Sequence, residues 1–183
     1  MPKGTGFLER GLLVMYLIKL LILFAIFVLC SFIGKIIAGK FKSRLEELKE
    51  LKNSLNIFKT KIKFTYSPIP EIFDEIGKNS SKNVGKIFTS AKEKMKNKTA
   101  GEAWKESIES TNRNLNDDDK KTLQMLSKML GEADLDGQVG QIDITLNFLE
   151  KQIQNAEEEK NKNAKLYSKL GTIIGLAIVI MLF

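Results

Sequence analysis

Four acidic residues and one glycine between positions 132 and 143 have a spacing that could bind calcium. Glu132, Asp134, Asp136 and Asp143 fall at positions 1, 3, 5 and 12 of such a loop, with Gly137 at position 6. Glu132 stands where Asp is preferred, and Asp143 is too short to bind calcium easily through both oxygens. The alternative is a turn in which Gly131 ends one helix and Asp134 or Asp136 caps the next. We predict the turn and keep a calcium-responsive helical sensor as an alternative.

Other metal and covalent chemistry lacks its usual side chains. The sequence contains no histidine, and its single cysteine, Cys30, lies within an apolar segment. Zinc sites, disulfides and histidine-dependent acid–base catalysis therefore lose their usual ligands or bases. We predict a protein that is not an enzyme, with no catalytic residue, no cofactor and no bound metal.

The chain is basic, with a formal net charge of +7 and a pI near 9.4. Much of the excess lies beside two apolar segments, and the remaining sequence mixes lysine with acidic residues. The lysines from Lys92 to Lys98 alternate with other residues and so spread around a helix, and no groove-reading motif accompanies them. We therefore predict no nucleic-acid binding.

The two apolar segments, Leu20–Gly34 and Leu170–Phe183, lie at opposite ends of the chain. Crossing a bilayer takes about 20 apolar helical residues. The first segment lacks a signal-peptide cleavage pattern, so we interpret it as an uncleaved anchor rather than a signal peptide. The second would cover about 21 Å, which calls for local thinning of the bilayer. The alternative, a buried helix of a soluble domain, conflicts with its lack of any polar face.

Basic residues flank both segments on the side that faces the middle of the chain: Lys35, Lys40, Lys42 and Arg44 follow the first, and Lys165 and Lys169 precede the second. Because such residues tend to stay in the cytoplasm, the central region is predicted to be cytoplasmic and tethered at both ends. The predicted parts are an N-terminal extension at 1–14 with Met15 as an alternative start, a transmembrane anchor at 15–39, a cytoplasmic helical bundle at 40–169 and a membrane segment at 170–183.

The central region has the apolar spacing of an all-α bundle of about six helices. The first anchor continues as an amphipathic helix as far as the prolines at 68 and 70. Further helices are predicted at Glu71–Gly77, from Val84 to Met95, from a capping box at Thr99 and Glu102, from the aspartates at 117–119 with a core face of Leu123, Leu126, Met129 and Leu130, and from Val139 through Tyr167 into the second anchor.

The order of charges suggests that the first and last helices pack antiparallel. Residues at equal distances along the chain from the two apolar segments would then lie side by side. This pairing places Glu46, Glu47 and Glu50 near Lys160, Lys162 and Lys165. It also places Lys49 and Lys52 near the acidic run at 157–159. Exposed ion pairs contribute only about 0 to 1 kcal/mol each, so they would fix the register more than the stability. The alternative is that these are the solvated faces of two independent helices.

Two aromatic residues could either support the fold or contact a partner protein. Trp104, the only tryptophan, is predicted to anchor the core rather than to contact a partner. Tyr66 and the prolines after it could form a docking turn, although redirecting the chain explains them as well.

Several short motifs, in their order and spacing, resemble the stage III sporulation protein AB family of endospore-forming bacteria. They are Gly101-Glu-Ala-Trp104-Lys-Glu106-Ser107, then Leu130-Gly131-Glu-Ala-Asp134 with Gln138 and Gln141, together with the two apolar ends, the turn at Ser67 to Pro70 and the acidic run at Glu157 to Glu159. The resemblance extends from Met15 to Phe183.

The resemblance implies a helical cytoplasmic unit like that of type II secretion platform proteins. It implies a place in the mother-cell membrane around the forespore, where the protein would dock a secretion-type ATPase, stage III sporulation protein AA, within a channel or secretion-like complex. Other proteins of that complex, the lipid bilayer and a second copy of the chain are the further expected partners. Trp104, Glu106, Gly131 and Asp134 carry over as motif positions with structural roles. The alternative function is a structural or membrane-shaping protein of the forespore envelope.

Overall fold

The computed structural model describes residues 5–111 and 114–182, which form helices and no strand. The elements are α1 (Thr5–Phe64), α2 (Ile69–Asn79), α3 (Lys82–Lys94), α4 (Ala100–Thr111), α5 (Asp117–Gln124), a 3-10 turn (Met125–Lys128), α6 (Leu135–Glu159), a π-helical segment (Lys160–Ala164) and α7 (Lys165–Leu182). Because α6, the π-helical segment and α7 follow one another without a break, the described residues form six helices, as predicted.

The chain divides into two compact units. The bundle is Lys42–Glu159, and the hairpin unit comprises Met1–Phe41 and Lys160–Phe183. Packing does not locate a membrane boundary, so the domain limits 15–39, 40–169 and 170–183 stay predictions. Of the predicted extension at 1–14, residues 1–4 lie outside the described residues, and the rest belongs to α1.

Four aromatic rings from four helices form the centre of the bundle. Phe73 of α2 lies 5.2 to 5.4 Å, centroid to centroid, from Phe58 of α1, Phe88 of α3 and Trp104 of α4. All four side chains are fully buried. Aromatic pairs at such distances add about 0.5 to 1.5 kcal/mol each to the free energy of burial, so this cluster holds the first four helices together.

The ends of the short helices follow local signals in the sequence. The predicted capping box is present at the start of α4, where the Glu102 amide donates to the Thr99 hydroxyl and the Thr99 amide donates to the Glu102 carboxylate. A second capping box, between Asn116 and Asp119, begins α5. Its first turn also carries the predicted acidic residues, which complement the helix dipole.

The segment after α5 differs from the prediction of a continuous helix. The α-helix ends at Gln124 and tightens into the 3-10 turn, where the Met125 carbonyl accepts a hydrogen bond from the Gln141 amide at 2.8 Å. This change of pitch rotates the following residues. Met129, predicted to face the core, is therefore 38% exposed, whereas Leu130 is buried.

In the bundle, α1 and α6 pack antiparallel, as predicted. Four ion pairs join the two helices, and the residue numbers rise along α1 as they fall along α6. The pairs are Arg44 with Glu159, Lys49 with Glu157, Lys52 with Glu150 and Lys59 with Asp143. The Lys49 pairing was predicted, and the alternative of two independent helices is wrong.

Of the other predicted pairings along α1, that of Lys52 is wrong, and the glutamates bind groups within the bundle. Lys52 binds Glu150 instead of the acidic run at 157–159. Glu46 pairs with Lys42 one turn earlier on α1. Glu47 accepts from Asn83 and Asn114, and Glu50 accepts from Ser81.

In the hairpin unit, the apolar parts of α1 and α7 also pack antiparallel, and glycines lie at the closest contact. A Cβ atom added to Gly171 would lie 2.8 Å from the Cys30 carbonyl oxygen and 2.9 Å from the Gly34 Cα atom. Such close backbone approach requires glycine, as at many interfaces between membrane helices. The Phe41 and Tyr167 rings stack at 5.8 Å toward one end of this contact.

Both terminal helical regions are suited to a membrane. The described residues contain two helices long and apolar enough to cross a bilayer, and their apolar windows are only 6% buried within the protein. The helix α7 has 18 residues and extends about 27 Å, and the apolar segment predicted from Leu170 follows its first polar turn. These features suggest membrane association.

Candidate functional site

The four motif positions lie at two places in the bundle. Trp104 is fully buried, and its indole nitrogen donates to the Leu123 carbonyl at 2.8 Å. This bond joins α4 to α5, while a Cβ added to Gly131 would contact the Ala100 Cβ at 3.1 Å. Trp104 therefore fixes α4 against α5, and Gly131 lets the segment after α5 approach the first turn of α4.

Glu106 and Asp134 lie at the surface and bind nearby groups. The Glu106 carboxylate pairs with Lys98 and Lys94. The hydrogen bond from Lys98, followed by the charges of both lysines, holds the pKa of Glu106 below its ordinary value. Asp134 Oδ1 accepts from the Gly137 amide at 2.9 Å in the first turn of α6, which is the capping geometry of a turn between helices.

The acidic residues at 132–143 do not converge on a common point. Asp143 lies within α6 and pairs with Lys59 at 2.5 Å, while Asp134 caps the helix. No group of three or more potential metal-binding side chains occurs in the described parts of the chain. The turn was predicted correctly, and this geometry does not favour the calcium-sensor alternative.

A buried ion network lies where α1, α5 and the end of α6 meet. Arg44 donates to both carboxylate oxygens of Asp119, at 2.7 and 2.9 Å, and to Glu159 at 2.6 Å. The Arg44 side chain is 7% exposed and that of Asp119 is fully buried. The hydrogen bonds that Arg44 donates to Asp119 raise the pKa of Arg44, which desolvation alone would lower.

Sequence reasoning missed this network because it treated Arg44 as one more basic residue beside the first apolar segment. A signal was present: Arg44 is one of only three arginines in a lysine-rich chain. Arginine is preferred where a planar, bidentate contact to a carboxylate must be buried. Its partner, Asp119, was interpreted only as one of the aspartates that begin α5.

Among the described residues of the bundle, two pairs of neighbouring apolar side chains are exposed. The aromatic turn, residues 64–66, carries Phe64 and Tyr66, which are 69% and 76% exposed. Tyr66 has a φ of +52°, a left-handed conformation that is unfavourable for a bulky residue. The α6 pair, Ile144 and Phe148, is 46% and 43% exposed, with the Lys151 ammonium 5.4 Å from the Phe148 ring centroid.

A family model described as Stage III sporulation protein AB matches residues 19–183, which include both apolar segments and the whole bundle. The chain belongs to this family. Stage III sporulation protein AB of Bacillus subtilis (strain 168) is 24% identical over 170 residues, covering 91% of this chain and 99% of the relative.

A solved structure of a Stage III sporulation protein AB has the same fold. It superposes with a TM-score of 0.60 at 20% identity, covering 66% of this chain and 98% of that structure. The resemblance found in the sequence is therefore confirmed, and this family member is a sporulation protein.

Proposed function

We propose that this family member is a membrane-anchored, non-enzymatic adaptor that docks a secretion-type ATPase. The expected partner is stage III sporulation protein AA, within a secretion-like channel complex of the mother-cell membrane around the forespore. The observation that carries the proposal is that helices long and apolar enough to cross a bilayer lie at both ends of a charged helical bundle. A soluble motor bound to such a bundle becomes attached to the membrane.

The chemistry of the bundle suits binding better than catalysis. Its buried charged groups, such as Arg44 and Asp119, satisfy each other and stabilise the fold. The described surface instead offers exposed apolar groups, which often mark protein contacts. The bundle is proposed to face the cytoplasm, where an ATPase can reach it, because the lysines that flank the apolar segments favour that side.

The aromatic turn is the proposed docking surface. Phe64 and Tyr66 are the most exposed apolar side chains of the bundle residues described. Aromatic residues are often hot spots, which contribute most of the binding free energy of a protein interface. The Lys63 ammonium lies 5.5 Å from the Phe64 ring centroid, so the aromatic turn presents a positive charge beside its apolar surface.

A binding experiment with the full chain in lipid nanodiscs tests this function. The purified ATPase should bind the wild-type chain, and F64A/Y66A should weaken binding about tenfold or more, because such hot spots contribute about 2 kcal/mol. The matched control, I144A/F148A, also removes two exposed apolar side chains and should bind normally. Absence of binding to the wild-type chain contradicts the adaptor function, whereas equal loss in both variants contradicts only the docking surface.

The orientation has a separate test. In a chain with Cys30 replaced by serine, Lys105→Cys places a thiol on the exposed face of α4. A membrane-impermeant maleimide should label it in inverted membrane vesicles and leave it unlabelled in vesicles of the opposite orientation. The opposite pattern would contradict a cytoplasmic bundle.

A further inference from the structure

Lysines surround the hairpin unit where its apolar helices become polar. Residues 34–41 and 160–171 contain six lysines and no aspartate or glutamate. We name this group the lysine collar: Lys35, Lys40, Lys160, Lys162, Lys165 and Lys169. The collar therefore concentrates positive charge next to the apolar surface of two helices.

The collar lysines lack acidic partners within the described residues. The lysines at 160 and 162 belong to the π-helical segment, those at 165 and 169 to α7, and the others to α1. All are exposed except the half-buried Lys160, and no salt bridge to a described carboxylate involves any of them. Lysines of the bundle such as Lys49, Lys52 and Lys59, in contrast, bind carboxylates.

The packing of the hairpin unit sets the heights of these lysines. The contact of Gly34 with Gly171 places Lys35 and Lys169 at similar levels, and the stack of Phe41 on Tyr167 does the same for Lys40 and Lys165. At 1.5 Å per residue the levels are about 6 to 8 Å apart. That separation matches a headgroup layer of roughly 5 to 8 Å, and lysine stems can reach several ångströms toward it.

Tyr167 supplies an independent marker of the same layer. Its ring stacks on Phe41 and is 38% exposed, so its hydroxyl can meet water while its ring contacts apolar groups. Tyrosine is enriched at the level of lipid headgroups for this reason. The lysine collar and the stacked rings therefore occupy the same stretch of the two helices.

We propose that the lysine collar binds anionic phospholipid headgroups and surrounds the hairpin with them. The proposal rests on insertion of the two apolar helices into a bilayer, and it does not require the ATPase. Lysine ammonium groups provide point charges for phosphate oxygens, and a basic residue near an anionic surface contributes about fivefold to binding. The collar segments contain no acidic side chain, and of the glutamates that directly precede them, Glu157 pairs with Lys49 and Glu159 with Arg44. An acidic protein partner would have to displace these lipids to reach the collar.

The test measures lipid selectivity of the full chain in vesicles of mixed phosphatidylcholine and phosphatidylglycerol. Spin-labelled versions of the two lipids report the relative association of each with the protein. We expect phosphatidylglycerol to be favoured severalfold and the preference to fall with added salt. In K160Q/K162Q/K165Q/K169Q the preference should fall toward one, and the same four lysines changed to arginine should retain it.

A matched control removes the same charge elsewhere. Lys82, Lys86, Lys105 and Lys128 are exposed lysines of the bundle that form no salt bridge to a described carboxylate, and changing all four to glutamine should leave the preference intact. Sodium phosphate should displace the lipid no more than sodium chloride of equal ionic strength, which separates headgroup binding from capture of free phosphate.

Three results would overturn the proposal: no preference in the wild-type chain, equal loss in the control, or an unchanged preference in the collar variant. If the collar variant kept its lipid preference and lost ATPase binding, the lysines would serve the protein partner instead. Helicity of each variant, measured by circular dichroism, confirms that the chain is folded.

Discussion

The guanidinium of Arg44 binds both carboxylate oxygens of Asp119, with Nε at 2.7 Å and Nη2 at 2.9 Å. Asp119 also accepts a hydrogen bond from the Asn116 backbone amide, so a residue of the capping box of α5 also binds α1. Arg44 further binds Glu159, the last residue of α6. One side chain therefore fixes three helices of the bundle beside the residues where α1 and α6 lead into the hairpin unit.

Replacing Arg44 by methionine should strongly destabilise the bundle. The substitution keeps much of the side-chain volume but leaves the Asp119 carboxylate buried without its charge partner. Breaking a buried pair in this way costs about 3 to 5 kcal/mol. Thermal unfolding of the full chain in detergent, followed by circular dichroism, should show a midpoint roughly 10 °C lower.

Two further variants assign that loss to the buried pair. Glu159→Gln removes the partner that is 44% exposed and should cost less than about 1 kcal/mol. Arg44→Lys keeps the charge but loses the bidentate contact, so its midpoint should lie between those of the wild type and R44M. A wild-type midpoint in R44M would contradict the role assigned to the network.

Gly131 and Gly140 should respond oppositely to alanine. Gly131 has a φ of +82°, and a new Cβ would lie 3.1 Å from the Ala100 Cβ. Gly131→Ala should therefore lower the free energy of unfolding by about 1 to 2 kcal/mol. Gly140 lies within α6, and a methyl group added there would meet no atom within 4 Å, so Gly140→Ala should raise it by about 0.5 to 1 kcal/mol. Chemical denaturation of both variants measures the difference, and changes of equal sign would contradict the assignment.

Glu106 should stabilise the bundle only above acidic pH. Because hydrogen bonding and the nearby lysines lower the pKa of Glu106 below its ordinary value of 4.5, the folded state favours the ionised form. The contribution is present above that value and is lost as the pH falls through the lower folded-state pKa. The unfolding midpoint of E106Q should therefore lie below that of the wild type at pH 7 and approach it as the pH falls below the ordinary value of 4.5. A constant difference across this range would rule out the ionised carboxylate as the cause.

The sequence predicted the elements that depend on local patterns. Apolar spacing gave the six helices, the capping box at Thr99 and Glu102 gave the start of α4, and the prolines near Tyr66 gave the end of α1. These features depend on residues within one or two turns of each other. They can therefore be inferred without knowing the tertiary structure.

Contacts between distant residues were harder to predict. The Arg44–Asp119 pair joins positions 75 residues apart, and each residue had a sufficient local explanation as a flanking charge or a helix start. The antiparallel direction of α1 on α6 and the pairing of Lys49 with Glu157 were predicted correctly, but the pairing of Lys52 was wrong. Local patterns also gave no sign that α3 and the α2–α3 turn supply partners for Glu47 and Glu50. For the hairpin unit, the spacing of Gly171 and Gly175 was an available signal of close helix packing.

The contact between α1 and α7 should permit a disulfide in the hairpin unit. A Cβ added to Gly175 would lie 3.2 Å from the Cβ of Cys30, slightly less than the separation of about 3.5 to 4.5 Å found in disulfides. Gly175→Cys should therefore crosslink to Cys30 within one chain when a mild oxidant is added to membranes. Once the disulfide has formed, neither cysteine should react with maleimide, and a reductant should restore the labelling of both.

Two leucine substitutions on α1 show whether glycine packing holds these helices together. Gly34→Leu, introduced with Gly175→Cys, would place a large side chain where an added Cβ alone would lie 2.8 Å from the Tyr167 carbonyl oxygen. The helices should therefore separate, and crosslinking should fall. Gly39→Leu adds the same side chain where no atom lies within 4 Å, and crosslinking should persist. If Gly34→Leu crosslinked as well as Gly39→Leu, the close approach of α1 and α7 would not depend on Gly34. Because the two variants add equal apolar surface, a difference between them reports helix packing rather than the change in hydrophobicity.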